Sequence, residues 1–130
     1  MIKKLLNFEE ARARHIEFKS KLKSILNGSV IDETPVLSHY ECGVGKWIYN
    51  YAMEELGHIY EMHELERVHA SIHICARELV ALYKSGKKDV ALDRYAEIEV
   101  IAKKLNELLN VIESKINNQD LSFSVNAGNS

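Results

Sequence analysis

The sequence predicts an all-α fold: an antiparallel four-helix bundle with a short extra helix and a loop carrying a metal ligand. Three observations predict it. The 130 residues contain one proline and six glycines, so little interrupts helix. Leu, Ala, Glu and Lys are abundant, and they favour helix. Apolar residues recur at steps of three and four along several long stretches, which marks one face of a helix. Short links between these stretches suit antiparallel neighbours.

The totals narrow the function classes. The length fits one domain, expected over residues 1–117. Residues 118–130 are polar and rich in small side chains, and are expected to fray or to lead elsewhere. With 46% hydrophobic and 28% charged residues the composition is that of an ordinary soluble domain. A net charge of −2 gives no electrostatic reason to bind nucleic acid or an anionic membrane. No apolar run approaches the length of a membrane span. The start, Met1 to Asn7, has basic residues but no signal-peptide core. A cytoplasmic location follows as the expectation, and its two cysteines are expected free or metal-bound. Asn27-Gly28-Ser29 fits a glycosylation sequon but reads as a helix stop.

The first helix is expected from Asn7 to about Leu26. Asn7 can cap it, and Glu10 stands where a capping box puts its acid. Its apolar line is Phe8, Ala11, His15, Phe18, Leu22 and Ile25/Leu26, so His15 points inward. Gly28 suits the left-handed position after the helix. Residues 28–44 have no clear period, and Thr34-Pro35 reads as a turn or extended pair. A short helix is expected from near Gly45 to about Leu56, carrying Trp47, Ile48, Tyr51 and Ala52. Cys42 then lies just before a helix N-terminus, whose N–H groups and dipole favour a thiolate.

Gly57 separates this from a long helix over about His58 to Lys84. Its apolar line is Met62, Leu65, His69, Ile72/His73, Ala76, Leu79/Val80 and Tyr83. Gly86 is a plausible stop, and Asp89 can cap the last helix, expected to end near Asn117. The last apolar line is Val90, Tyr95, Ile98, Ile101/Ala102, Leu105, Leu108/Leu109, Ile112 and Ile116. This is close to a heptad spacing and is suited to a dimer.

The organising stretch is Glu66 to Cys75. His69 and His73 are four residues apart, so a helix sets both rings on one face, one turn apart. Two imidazoles in a core need partners. A metal ion is one; side chains or water are the other. Together with His15 and Cys42 they make three neutral imidazoles and one thiolate, a complete tetrahedral set for Zn²⁺. Twenty-six residues separate His15 from Cys42, and twenty-six separate Cys42 from His69, so such a site ties remote parts of the chain together. Glu66 is a candidate to offset the residual positive charge from the second shell. Cys75 lies well round the helix from His73 and reads as a structural or surface thiol. His39, His58 and His63 read as surface residues, with His39 the possible competitor of Cys42. The aromatics, Trp47 and Tyr51 among them, read as core.

At this point the sequence resembles the chemoreceptor zinc-binding domain family. The resemblance is carried by His15-Ile16-Glu17-Phe18, by Cys42-Gly43-Val44-Gly45-Lys46-Trp47, and by His69-Ala70-Ser71-Ile72-His73 running on to Leu79. Phe18 stands where Trp is common in that family, a change that bears on packing more than on ligation. The resemblance covers roughly residues 8–117. It implies a four-helix bundle holding zinc by His15, Cys42, His69 and His73, and commonly a homodimer. It further implies regulation of a chemoreceptor or a diguanylate cyclase, in chemotaxis or cyclic-di-GMP signalling, in response to zinc or to oxidants such as hypochlorous acid. The chain has no cyclase motif and no long receptor coiled coil, so it is expected to act on a partner or as a fragment; the Met1 start favours a stand-alone protein. In this reading Cys42 is both ligand and trigger.

Two rival classes remain. Glu55-Leu56-Gly57-His58 and Glu66-Arg67-Val68-His69 share the Glu-x-x-His form of di-iron carboxylate bundles. Gly57 breaks the first copy, and the copies lie too close in sequence for opposite helices. A metal-free helical dimerisation module is the other. Four protein donors leave no open position for water, so no enzyme activity is expected.

Overall fold

The computed structural model describes residues 7–129, with side chains over residues 7–117. The elements are α1 (Phe8–Leu26), α2 (Thr34–Leu37), α3 (Gly43–Trp47), a π-helical turn (Ile48–Ala52), α4 (Met53–Leu56), α5 (Tyr60–Lys84) and α6 (Lys88–Asn129). No strand occurs among the described residues, and the fold is an all-α bundle. α1, α5 and α6 are its long arms. α3, the π turn and α4 follow one another directly and form the short fourth arm, packed on α1. No described helix is long and apolar enough to cross a membrane.

The helix ends follow local chemistry. The Asn7 side chain accepts from the Glu10 N–H at 3.0 Å, satisfying a donor the first turn leaves open. At the far end Gly28 has φ 97°, a conformation that penalises any residue with a Cβ. There the Gly28 N–H donates to the Ile25 carbonyl and the Ser29 N–H to that of Ser24. Gly86 repeats this after α5, with φ 87° and the Lys87 N–H donating to the Leu82 carbonyl.

The buried face of α1 is Phe8, Ala11, His15, Phe18, Leu22, Ile25 and Leu26, as its spacing predicts. That of α5 follows its line from Met62 to Val80 but takes in Cys75 as well, with Tyr83 half-buried. On α6 the line holds from Tyr95 to Ile112. Its start does not: Val90 is 46% exposed and Ala91 is buried instead. Leu105 is fully buried at the centre of this face. Leu105→Ala is expected to cost about 2–5 kcal/mol, read as a lower urea midpoint at unchanged slope.

Thr34-Pro35 takes the turn of its two readings, as one helical turn over residues 34–37, and several other local expectations need correction. Pro35 sits in its first turn, where a missing N–H costs nothing, and Asp32 accepts from the Thr34 N–H at 3.0 Å. The short arm begins at Gly43 rather than Gly45 and widens into a π turn at Ile48–Ala52. That wider turn keeps Ile48, Ala52 and Leu56 buried together at steps of four. Tyr51, expected in the core, is 40% exposed. The long helix after Gly57 starts at Tyr60, two residues later than expected. Asp89 lies inside the first turn of α6 rather than capping it, and the α6 backbone continues past Asn117 to Asn129.

Polar ties fix the arms and the long loop. Arg12 on α1 donates to Glu113 at 2.6 Å and Asn110 at 2.7 Å on α6. The Tyr95 hydroxyl donates to the Lys19 carbonyl at 3.2 Å. The segment between α1 and α3 is pinned to α5 by Arg77, which donates to the Leu37 carbonyl at 2.9 Å, and by the Lys84–Glu33 pair at 2.6 Å. Exposed pairs of this kind add little stability, but these set where the loop lies.

Candidate metal centre

The loop, α3 and α5 meet at a buried polar cluster. Cys42, His69 and His73 bring one donor atom each within 4.8 Å of one another. All three residues are buried, at 3%, 1% and 0% exposure. His69 and His73 are placed by the α5 apolar face. Cys42 is placed by its position as the residue capping α3, with its carbonyl accepting from the Lys46 N–H at 2.9 Å.

The two imidazoles converge through Nε2, and these nitrogens are 3.2 Å apart. His73 Nδ1 lies 2.7 Å from the Val36 carbonyl, which can only accept, so Nδ1 carries the proton and Nε2 is left as a bare lone pair. Two nitrogens held tetrahedrally at zinc–nitrogen lengths of about 2.0–2.1 Å would stand about 3.3 Å apart. The observed pair therefore fits such an ion. The Val36 bond is the kind of outer contact that orients a metal-binding histidine.

His15 stands outside the set of three that lie within 4.8 Å of each other. It is nonetheless buried at 2% exposure, its ring parallel to that of Phe18 at 6.2 Å. Its Nε2 and the Nδ1 of His69 are buried without a hydrogen-bond partner. Buried polar atoms are rarely left so.

The electrostatics keep the imidazoles neutral. Burial is the main cause for each: with Lys19 it lowers His15 to about 4, with the adjoining imidazoles it lowers His69 to about 2, and it lowers His73 to about 4 although the Val36 carbonyl pulls the other way. Neutral imidazole is the metal-binding form. For Cys42 burial pushes the thiol up, and bonds from the Gly45 and Val44 N–H groups pull it partly back. The helix terminus thus favours the thiolate as its position suggests, but burial outweighs it in the protein alone. A cation would reverse that balance.

Gly45 explains why the short arm can come so close. A Cβ built there would lie 1.7 Å from the His39 carbonyl oxygen and 3.3 Å from His69 Cε1. Only a residue without a side chain lets the loop rest on α3 against the cluster.

The remaining candidates separate clearly. His58 and His63 are exposed, as expected. His39 is not a surface residue: it is half-buried, with its ring centroid 6.2 Å from that of His69 and 6.4 Å from that of His73. Burial first, and then the neighbouring Glu66 carboxylate, push the Tyr49 hydroxyl up. Tyr49 in turn packs on His39. Glu66 therefore reaches the rim of the cluster through Tyr49 rather than directly. Cys75 is buried at 8% exposure, with its thiol 3.8 Å from Glu97, away from the cluster. Val36 acts through its backbone carbonyl, which no side-chain motif reveals. The signal that existed was Pro35, a helix-start residue.

The Glu-x-x-His rival finds no support in this geometry. Among the described residues, the group of His, Cys and acidic side chains close enough to share a metal is Cys42, His69 and His73. No curated protein and no solved structure matches the chain. The family model described as the chemoreceptor zinc-binding domain matches residues 15–80, a span that begins at His15 and takes in Cys42, His69 and His73. With half of its length matched and a thiol and two imidazoles converging inside that span, the chain belongs to the chemoreceptor zinc-binding domain family.

Proposed function

We propose that this chain is a zinc-binding regulatory module in which His15, Cys42, His69 and His73 hold one Zn²⁺ and Cys42 is the responsive ligand. The observation that carries this reading is the meeting of the Cys42 thiol with two imidazoles whose Nε2 atoms are 3.2 Å apart. Zinc, when bound, holds a cysteine deprotonated while leaving its sulfur nucleophilic. The chain's own residues do the rest. Val36 sets the His73 tautomer, the Val44 and Gly45 N–H groups face the sulfur, and the bundle excludes water.

Cys42 sits on the one ligand-bearing segment that is a loop. A narrow cleft lined by Arg14, Phe18, Lys21 and Pro35 reaches it from the surface. Small oxidants fit this reading best. The Cys42 thiolate and hypochlorous acid give a sulfenic acid and chloride, sulfur losing the two electrons that chlorine gains. A sulfenic acid is a poorer ligand, so the loop is freed from the histidines and the short arm moves with it. Cys42 is therefore expected to be modified before Cys75 under stoichiometric hypochlorous acid, by peptide mass spectrometry. Preferential modification of Cys75 runs against the trigger role.

Four protein donors leave no position for a reacting water, which favours regulation over catalysis. The near-heptad line of α6 is buried inside the bundle from Tyr95 to Ile112, so a homodimer of the kind the resemblance implies would use another face. A chemoreceptor or a diguanylate cyclase, in the same polypeptide or a separate one, would receive the signal in the cytoplasm. The deciding experiment is metal analysis of protein purified without added zinc. About one zinc per chain supports the reading. None, with folding unchanged by chelator, supports a metal-free helical dimerisation module instead.

A further inference from the structure

We infer that His39 is a reserve metal donor that takes over the position of Cys42 when the thiolate is lost. The inference rests on the zinc reading above and extends it to a residue outside the four. His39 lies three residues before Cys42. Both belong to one turn, closed by the Cys42 N–H donating to the Ser38 carbonyl at 3.2 Å and braced by Ser38 Oγ, which accepts from the Tyr40 N–H at 3.3 Å. A motion that carries the sulfur away from the histidines therefore moves His39 as well.

The ring is already poised. Its centroid is nearly equidistant from His69 and His73, at 6.2 and 6.4 Å, while those two rings are 4.7 Å from each other. Imidazoles sharing a tetrahedral zinc have centroids about 5 Å apart, given zinc–nitrogen lengths of about 2.0–2.1 Å. His39 is thus about one ångström short of both partners, a distance that rotation of the turn can supply. It is kept back by packing, against Tyr40 at 4.1 Å and Tyr49 at 6.2 Å, and by its own carbonyl, which rests against Gly45. Swinging the ring inward lifts that carbonyl from α3. Ligand exchange within a single turn would then couple the state of the sulfur to the seating of the short arm.

The test is a double-mutant cycle on the full chain, with Cys42→Ala, His39→Ala and the double variant. Zinc affinity is read by competition with a chromophoric chelator, and cobalt(II) absorption reports the coordination. Far-ultraviolet circular dichroism checks that each variant is folded. Cys42→Ala is expected to lose the thiolate-to-cobalt charge-transfer band but keep the intense bands of a four-coordinate ion. The double variant is expected to bind at least about tenfold more weakly than Cys42→Ala, with those bands collapsed. His39→Ala is expected to cost more in the Cys42→Ala background than in the wild-type chain. A double variant that binds as tightly as Cys42→Ala, or costs that simply add, overturns the reserve role. A wild-type chain that takes no metal overturns the underlying zinc reading, an outcome distinguishable from the others.

Discussion

Gly45→Ala is expected to abolish stoichiometric zinc retention and to destabilise the metal-free fold. A methyl group at this position would stand 1.7 Å from the His39 carbonyl oxygen. The obstacle is backbone, so no side-chain rotation relieves it. Either the loop from Ser38 to Cys42 or the start of α3 must shift, and Cys42 lies between them. Overpacking of this kind costs about 1–3 kcal/mol, and a clash with backbone belongs at the upper end. The metal consequence is larger, because ligands from three segments must meet to within a few tenths of an ångström. Urea denaturation of the chelator-treated variant and zinc analysis of the untreated one measure the two effects. A variant with wild-type zinc content and an unchanged urea midpoint would show that the close approach at Gly45 is irrelevant. Gly86→Ala is the useful contrast: no atom lies near its added Cβ, so the damage there is confined to backbone strain.

Acid is expected to unfold the metal-free protein well above the range where carboxylates titrate. His15, His69 and His73 are buried neutral, with pKa values lowered to about 4, about 2 and about 4, against 6.5 in an unfolded chain. The unfolded state therefore binds protons first as pH falls. Stability contributed by the neutral rings is complete above about pH 6.5 and is lost on descending towards pH 4. Below that, His15 and His73 protonate in the fold too and their share of the loss levels off. Each group contributes a slope of at most about 1.4 kcal/mol per pH unit. Three together approach about 4 kcal/mol per unit, comparable over two units with the whole stability of a small domain. Urea midpoints in chelator at pH 7.5, 6 and 5 measure this. A flat profile across that range would mean that the three rings are not held neutral inside the bundle. Bound zinc requires neutral imidazoles and a thiolate, so it should shift the transition to lower pH and then be released with it.

What the sequence determined by itself was the set of buried faces. The steps of three and four in α1 and α5 placed His15, His69 and His73 inward with the apolar residues around them, because a helix converts spacing directly into direction, though they left out Cys75, which is buried too. The stops at Gly28 and Gly86 were equally legible, since positive φ selects glycine. The resemblance carried by the Cys42–Trp47 and His69–His73 motifs led to the family that the match over residues 15–80 establishes. The segment from Asp32 to Leu56 was much less legible. Its shape depends on contacts with α1 and α5 rather than on any period of its own. Tertiary structure alone decided that the turn at Thr34–Leu37 offers the Val36 carbonyl to His73, that the short arm widens into a π turn, and that His39 is drawn inward beside the cluster. Periodicity reports which way a side chain points along a regular axis. It carries no information on how closely two backbones approach, and the chemistry of Cys42 and its neighbours depends on that approach.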